Sequence, residues 1–282
     1  MRILQYAPAA RAWLATAGPA HLLNVFDRAC NLVDDRGQVL AIVTVPAALA
    51  PCAALAAAEA AAPFRGLSAT SAVHREPGLL RLGDLTLTWA GARLWDPRPD
   101  WAAARRALAA APERLEIVAA AAYTAAPAGS LLELYRPHPP APLLIQAAPG
   151  AAALIRGLAA RDMDQALAGV QVLAGLGGGL TPAGDDFIVG ALLAAWAGLY
   201  GAGAEAQAQP LAASAAPRTT TLSGAYLRAA ARGECSAAWH AVLAALQADD
   251  APGLSGAVAA LAVIGHTSGA DGLAGFLAGR LL

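Results

Sequence analysis

Alternating apolar and polar positions dominate the first third of the chain. The β-rich run Asn24 to Val33, the turn Asp34-Asp35-Arg36-Gly37 and the run Gln38 to Val45 predict two strands joined by a tight turn. Pro46 ends the second strand. Strand-like patterning returns over Leu67 to Trp95. Within it, Leu79 to Trp89 alternates around Gly83-Asp84, which predicts a hairpin. Ala47 to Ala62 is alanine-rich and reads as a short helix. The breaker cluster Trp95-Asp96-Pro97-Arg98-Pro99 marks the end of the β-rich part.

Helical spacing follows. Trp101 to Ala111 and Ala151 to Leu176 read as helices, the second with Asp162 and Asp164 on a polar side. Three more helices open at polar turns near residues 182, 222 and 270. Arg136 to Pro142 carries four prolines and is expected extended or looped. Gly201 to Ala216 and Asp249 to Gly256 read as surface separators. The fold class that follows is α+β: a small N-terminal β-barrel or sandwich over residues 1–98, then a mainly helical domain over 99–282.

Composition narrows the function classes. With 57% apolar and 14% charged residues, the chain has the material for a packed core and is not disordered. All 19 basic residues are Arg, the net charge is -1, and no basic stripe is present, which argues against a nucleic-acid partner. Cys30, Cys52 and Cys235 are far apart and form no C-x-x-C pair, so neither a disulfide framework nor a thiolate zinc site is expected. Met1 to Ala20 carries Arg2, Arg11 and two prolines and lacks a compact apolar stretch; a cytoplasmic location is expected. The uncharged run Phe187 to Ala204 is 18 residues long, near the threshold for a membrane span. It holds four glycines and follows two aspartates, so a buried central helix is expected and no membrane partner.

Three turns can carry chemistry. The first is Gly175-Leu176-Gly177-Gly178-Gly179-Leu180-Thr181-Pro182-Ala183-Gly184-Asp185-Asp186. Thr181 stands where an N-cap should be, with Pro182 at the first helical position. Glycines before a helix start can cradle an anion on unpaired N–H groups, or simply form a tight turn. Neither a P-loop nor a dinucleotide fingerprint is present. Asp185 and Asp186 point about 100° apart on a helix, so one can orient a water or Mg²⁺ while the other caps. Mg²⁺ stays open as a cofactor; no cofactor and no metal ligand is assigned. The second turn is Gly265-His266-Thr267-Ser268-Gly269-Ala270-Asp271-Gly272. Gly265, Thr267 and Asp271 echo Gly179, Thr181 and Asp185 at an offset of 86 residues. His266 is a candidate proton donor or anion contact, or a histidine satisfied by its turn. The third, Arg218-Thr219-Thr220-Thr221-Leu222-Ser223, offers a guanidinium and hydroxyls to a small carboxylate or carbamoyl group, or is an N-cap with a surface Arg.

The candidate catalytic groups are thus His266 and Asp185. The candidate substrate contacts are Gly177, Gly178, Gly179, Thr181, Gly184, Asp186, Arg218, Thr219, Thr220, Ser223, Thr267 and Ser268. Asn31, which with Asn24 frames the first β run, joins them as a possible site-facing polar group. No nucleophile elbow or H-E-x-x-H motif occurs, and Cys235 and His240 fall on different helix faces.

The Gly175 to Phe187 segment resembles the G-L-G-x-G-L-T-P-S-G-D-D-F signature of the oxamate carbamoyltransferase subunit AllH family. Phe26-Asp27-Arg28-Ala29-Cys30-Asn31-Leu32, Arg218 to Ser223 and Gly265 to Gly269 agree, so the resemblance reads along nearly the whole chain. Gly178 stands where the family has Pro, and Ala183 and Thr267 stand where it has serine; Ala183 removes one hydroxyl from the ligand contacts. The resemblance implies a subunit of a multi-component carbamoyltransferase of purine and allantoin breakdown. There oxalurate and phosphate give oxamate and carbamoyl phosphate. It implies as partners an FdrA-like, acyl-CoA-synthetase-related subunit and a further carbamoyltransferase subunit. Two other readings remain: a non-catalytic structural or regulatory partner of the synthetase-like subunit, and a stand-alone Mg²⁺-dependent phosphate-ester or nucleotide enzyme using Asp185 or Asp186.

Overall fold

The computed structural model describes residues 1–136, 141–248 and 250–281. Contacts divide the chain into two compact units, Met1–Pro97 and Arg98–Leu282. The first is β-rich and the second helical, so the α+β class holds. No closed barrel forms among the described residues, and the β-rich unit is sandwich-like.

In the first unit, β1 (Ile3–Tyr6), α1 (Pro8–Ala15), β2 (Ala20–Val25), β3 (Ala29–Asp34), β4 (Val39–Val43) and β5 (Ala53–Ala56) are followed by β6 (Val73–Glu76), β7 (Leu79–Leu82), β8 (Leu85–Thr88) and β9 (Arg93–Leu94). One sheet has the order β2-β3-β4-β5-β1-β9 and the other β6-β7-β8. Ile3, Leu22, Leu32, Leu40, Ile42, Phe64, Leu80, Leu82 and Leu87 form the core. The β7–β8 hairpin turns at Gly83, as the alternation predicts.

Two expectations need correction here. Asn24 to Val33 is not one strand: β2 ends at Val25, the chain turns, and β3 begins at Ala29. The alanine-rich stretch holds only a short 3-10 turn, Pro46–Ala48, before the strand β5. All four β5 residues are buried, paired parallel to β4 and antiparallel to β1. Small side chains buried in mid-sheet override the helical preference of alanine.

The second unit comprises α2 (Trp101–Ala110), α3 (Arg114–Ala125), α4 (Pro142–Ala160), α5 (Met163–Leu173), α6 (Ala183–Trp196), α7 (Ala208–Ala215), α8 (Thr221–Ala231), α9 (Ala237–Gln247), α10 (Ala251–Ala262) and α11 (Ser268–Leu281). The helical stretch Ala151 to Leu176 is in fact two elements. Arg161 turns left-handed at φ 58° and ends α4, and Asp162 caps α5 by accepting from the Gln165 amide at 3.0 Å. Gly201 to Ala216 is no loose separator: Ala208, Leu211, Ala212 and Ala215 form a buried helical stripe on α7. Asp250 likewise caps α10, which occupies most of the expected Asp249 to Gly256 separator. Residue 249, and residues 137–140 of the proline-rich stretch, lie outside the described residues.

The helix α6 is the buried centre of the unit, as its apolar run predicts, but it ends at Trp196 rather than continuing to Ala204. Among the described residues α4 is the one helix long and apolar enough to cross a membrane; it packs against α5 and buries Leu144, Leu154 and Leu158.

The helices α6 and α11 lie side by side and run the same way, with Thr181 against Ser268 at one end and Tyr200 against Gly279 at the other. Glycine makes this approach possible. A Cβ on Gly190 would sit 1.8 Å from the Gly272 carbonyl oxygen, and one on Gly275 would sit 1.9 Å from that of Phe187. Backbone cannot yield as a side chain can, so Gly190→Ala should cost about 3 kcal/mol or more. Gly256→Ala, on α10 with open space around it, should instead stabilise by about 0.5 kcal/mol. Denaturant midpoints check the pair, and equal midpoints would refute the packing.

Candidate functional site

A buried carboxylate organises the glycine-rich turn. Asp185, in the first turn of α6, is fully buried. Its Oδ1 accepts from the Gly175 amide at 2.9 Å; its Oδ2 accepts from the Ser223 hydroxyl at 2.9 Å and from the Thr219 hydroxyl. The start of the glycine turn and the start of α8 are thereby fastened to α6. Gly175 (φ 76°) makes room, since a Cβ there would meet the Arg218 carbonyl at 2.7 Å. Thr220 caps α8, accepting from the Ser223 amide at 3.1 Å, and its hydroxyl donates to the Leu180 carbonyl at 2.5 Å.

The structure moves the expected N-cap. α6 begins at Ala183, Pro182 occupies the cap position, and no side chain caps the helix. The Thr181 hydroxyl is instead 2.8 Å from that of Ser268. The helix-start amides are also spoken for: Gly184 donates to the Leu176 carbonyl at 2.9 Å, and Asp185 and Asp186 donate to Pro182 at 2.9 and 3.2 Å. Upstream, the amides of Gly177, Gly178, Gly179, Leu180 and Thr181 donate to no backbone carbonyl among the described residues. Gly177 (φ 110°) and Gly179 (φ 87°) hold conformations that only glycine takes without strain, and all three glycines are exposed.

The second turn meets the first. Gly265 and His266 are both left-handed, at φ 61° and 58°, and His266 is exposed. Asp271, one turn into α11, is fully buried and accepts from the Leu131 amide at 2.6 Å through Oδ1. Among the described residues its Oδ2 has no hydrogen-bond partner, nor has the buried Oδ2 of Asp186. Burial pushes the Asp186 carboxyl well above the usual range. The Ser268 and Thr181 hydroxyls oppose this, and the charges of Asp271 and Asp185 add to it. Burial also raises Asp185, against its three donors. For Asp271, burial outweighs the Leu131 amide, the Thr267 hydroxyl and the charge of His266, and sets the carboxyl at about 6.

The three turns thus converge inside the helical unit. Arg218 is exposed; its guanidinium reaches the Gln171 carbonyl on α5 at 3.5 Å, beside the upstream end of the turn rather than over Gly177 to Gly179. Asn31 belongs to the β-rich unit, where its amide donates to Asn24 at 2.5 Å. A separate cleft of about 420 Å³, lined by Arg98, Trp196, Glu205, Gln209, Arg232 and Glu234, lies at the far end of α6. Sequence reasoning did not single out Asp271, although the echo at 86 residues pairs it with Asp185. It had no means of finding the Leu131 amide, 140 residues away in the chain. Among the described residues no group of three or more His, Cys, Asp or Glu is arranged around a metal.

A raised carboxyl costs stability once ionised. The native Asp271 binds its proton more tightly than the unfolded chain, whose carboxyl titrates near 3.9. Its contribution is complete below about pH 4 and is lost as pH rises through about 6, about 3 kcal/mol in all. In chelator, Asp271→Asn, which keeps an oxygen for the Leu131 amide, should reduce the decline in stability over this window. Denaturation at a series of pH values checks it; an undiminished slope contradicts the assignment.

No solved structure matches the chain. The resemblance read from the glycine-rich motif is shown over the C-terminal part of the chain: residues 173–280, which carry all three converging turns, match the family of the oxamate carbamoyltransferase subunit AllH.

Proposed function

We propose that this chain binds the small anionic substrate of an oxamate carbamoyltransferase-like complex, the family match supplying the subunit role. The observation that carries the reading is the row of unclaimed amides from Gly177 to Thr181, in a turn pinned by Asp185, Thr220 and Ser268. Donors held in place before a ligand arrives need no reorganisation to meet a carboxylate, a phosphate or a developing oxyanion. Arg218 adds positive charge at the upstream end, and His266 is the exposed group suited to move a proton. Asp185 acts as a positioning residue, since both its oxygens are committed to the turn and to α8.

The chemistry is carbamoyl transfer to phosphate. A phosphate oxygen attacks the carbamoyl carbon of oxalurate, the bond to the oxamate nitrogen breaks, and that nitrogen takes a proton. Oxamate and carbamoyl phosphate leave. The FdrA-like subunit and a further carbamoyltransferase subunit complete the complex in this reading, in the cytoplasm. A non-catalytic role has one observation in its favour: a Cβ on Gly184 would lie 2.1 Å from the Leu173 carbonyl, so part of the motif serves packing.

Calorimetric titration with oxamate and with phosphate, and assay of the reconstituted complex, test the proposal. Arg218→Ala should leave the fold intact and weaken anion binding about tenfold or more. Full activity of the complex without this chain would leave only the packing role.

A further inference from the structure

Two buried carboxylate oxygens at the junction of α6 and α11 are left out of the hydrogen bonding among the described residues. Among the described residues, Oδ2 of Asp186 and Oδ2 of Asp271 each lack a hydrogen-bond partner, and Asp271 is fully buried. Asp186 and Asp271 lie in the first turns of α6 and α11, and those helix starts meet where the Thr181 and Ser268 hydroxyls are 2.8 Å apart. Ser130 is a third orphan, fully buried with an unpartnered Oγ, and it directly precedes the Leu131 amide that holds Asp271. The hydroxyls of Thr181, Ser268 and Thr267 border the same acids. A buried polar atom left without a partner costs on the order of 1–3 kcal/mol, and more when charged. Three such atoms on neighbouring segments, all oxygen and two of them acidic, are the kind of donor a hard cation takes.

We propose that Asp186 and Asp271 jointly hold one Mg²⁺, with hydroxyl oxygens from Thr181 and Ser268 and the orphaned Ser130 Oγ beside it. Two carboxylates neutralise the ion. Mg²⁺ characteristically keeps several waters and open positions, which an oxygen of a bound phosphate or carboxylate can take. The ion would thereby add positive charge to the wall of the amide-lined turn. In that functional sense the inference rests on the anion-binding reading, while the cation site itself stands on the orphaned oxygens alone. Asp185, whose oxygens are all engaged, is excluded from the ligand set.

The test uses the full chain stripped with chelator near pH 7.5, because a carboxylate must give up its proton to bind a metal. Mn²⁺ is followed by electron paramagnetic resonance and displaced by Mg²⁺; Mg²⁺ alone is followed by calorimetry and by thermal stability. One site per chain is expected, with a rise in melting temperature. Asp186→Asn and Asp271→Asn should each weaken binding by about tenfold or more, while Glu205→Gln, in the separate cleft, should not. Because the Mn²⁺ measurement needs only the wild-type chain, a variant that fails to fold does not remove the test. No saturable binding up to about 10 mM of either ion overturns the site, and the acids then share a proton or a water. Binding that survives both Asp variants also overturns it. Metal binding without any effect of oxamate or phosphate sinks the anion reading and leaves the cation site standing.

Discussion

The Asp185 carboxylate is the constraint on which the site depends. It is fully buried and accepts one backbone amide and two hydroxyls from segments otherwise far apart in the chain. A buried carboxylate is tolerated only when its oxygens are satisfied, so the three donors cannot drift. Gly175 is held at one end of the glycine turn, and Thr219 and Ser223 bring the start of α8 against its other side. The turn between them keeps amides, Gly177 to Thr181, that donate to no backbone carbonyl among the described residues. Replacing Asp185 would therefore release the loop.

A second constraint is the close parallel packing of α6 and α11. Gly190 and Gly275 let backbone meet backbone, and this brings two helix starts together. Each start places an acid in its first turn, where the helix dipole favours negative charge. Sequence and structure here tell one story. The echo of Gly179, Thr181 and Asp185 in Gly265, Thr267 and Asp271 corresponds to two similarly built turns packed side by side. Asp185 and Asp271 each take a backbone amide from elsewhere in the unit.

Local signals made part of this legible. The Gly83 hairpin, the helix starts near 182, 222 and 270, and the α+β class all follow from alternation, breakers and capping residues. What failed was alanine. β5 and α7 are both alanine-rich; one is a mid-sheet strand and the other a buried helix, and only their neighbours decide which. The break at Arg161 was hidden because a left-handed Arg carries no sequence mark. At the glycine motif, amides in the first turn of the helix donate to carbonyls, and the amides that donate to no backbone carbonyl among the described residues lie upstream at Gly177 to Thr181. Contacts spanning 140 residues, such as Leu131 to Asp271, leave no local trace at all.

The central claim is that those upstream amides are the donors that meet the anion. Amide hydrogen exchange on the full chain, with and without oxamate and phosphate, addresses it most directly. The account predicts new protection confined to Gly177 to Thr181 and the neighbouring Arg218 to Ser223 segment. Unchanged exchange there at saturating ligand, or protection centred on the cleft at Arg98 and Arg232, would contradict it.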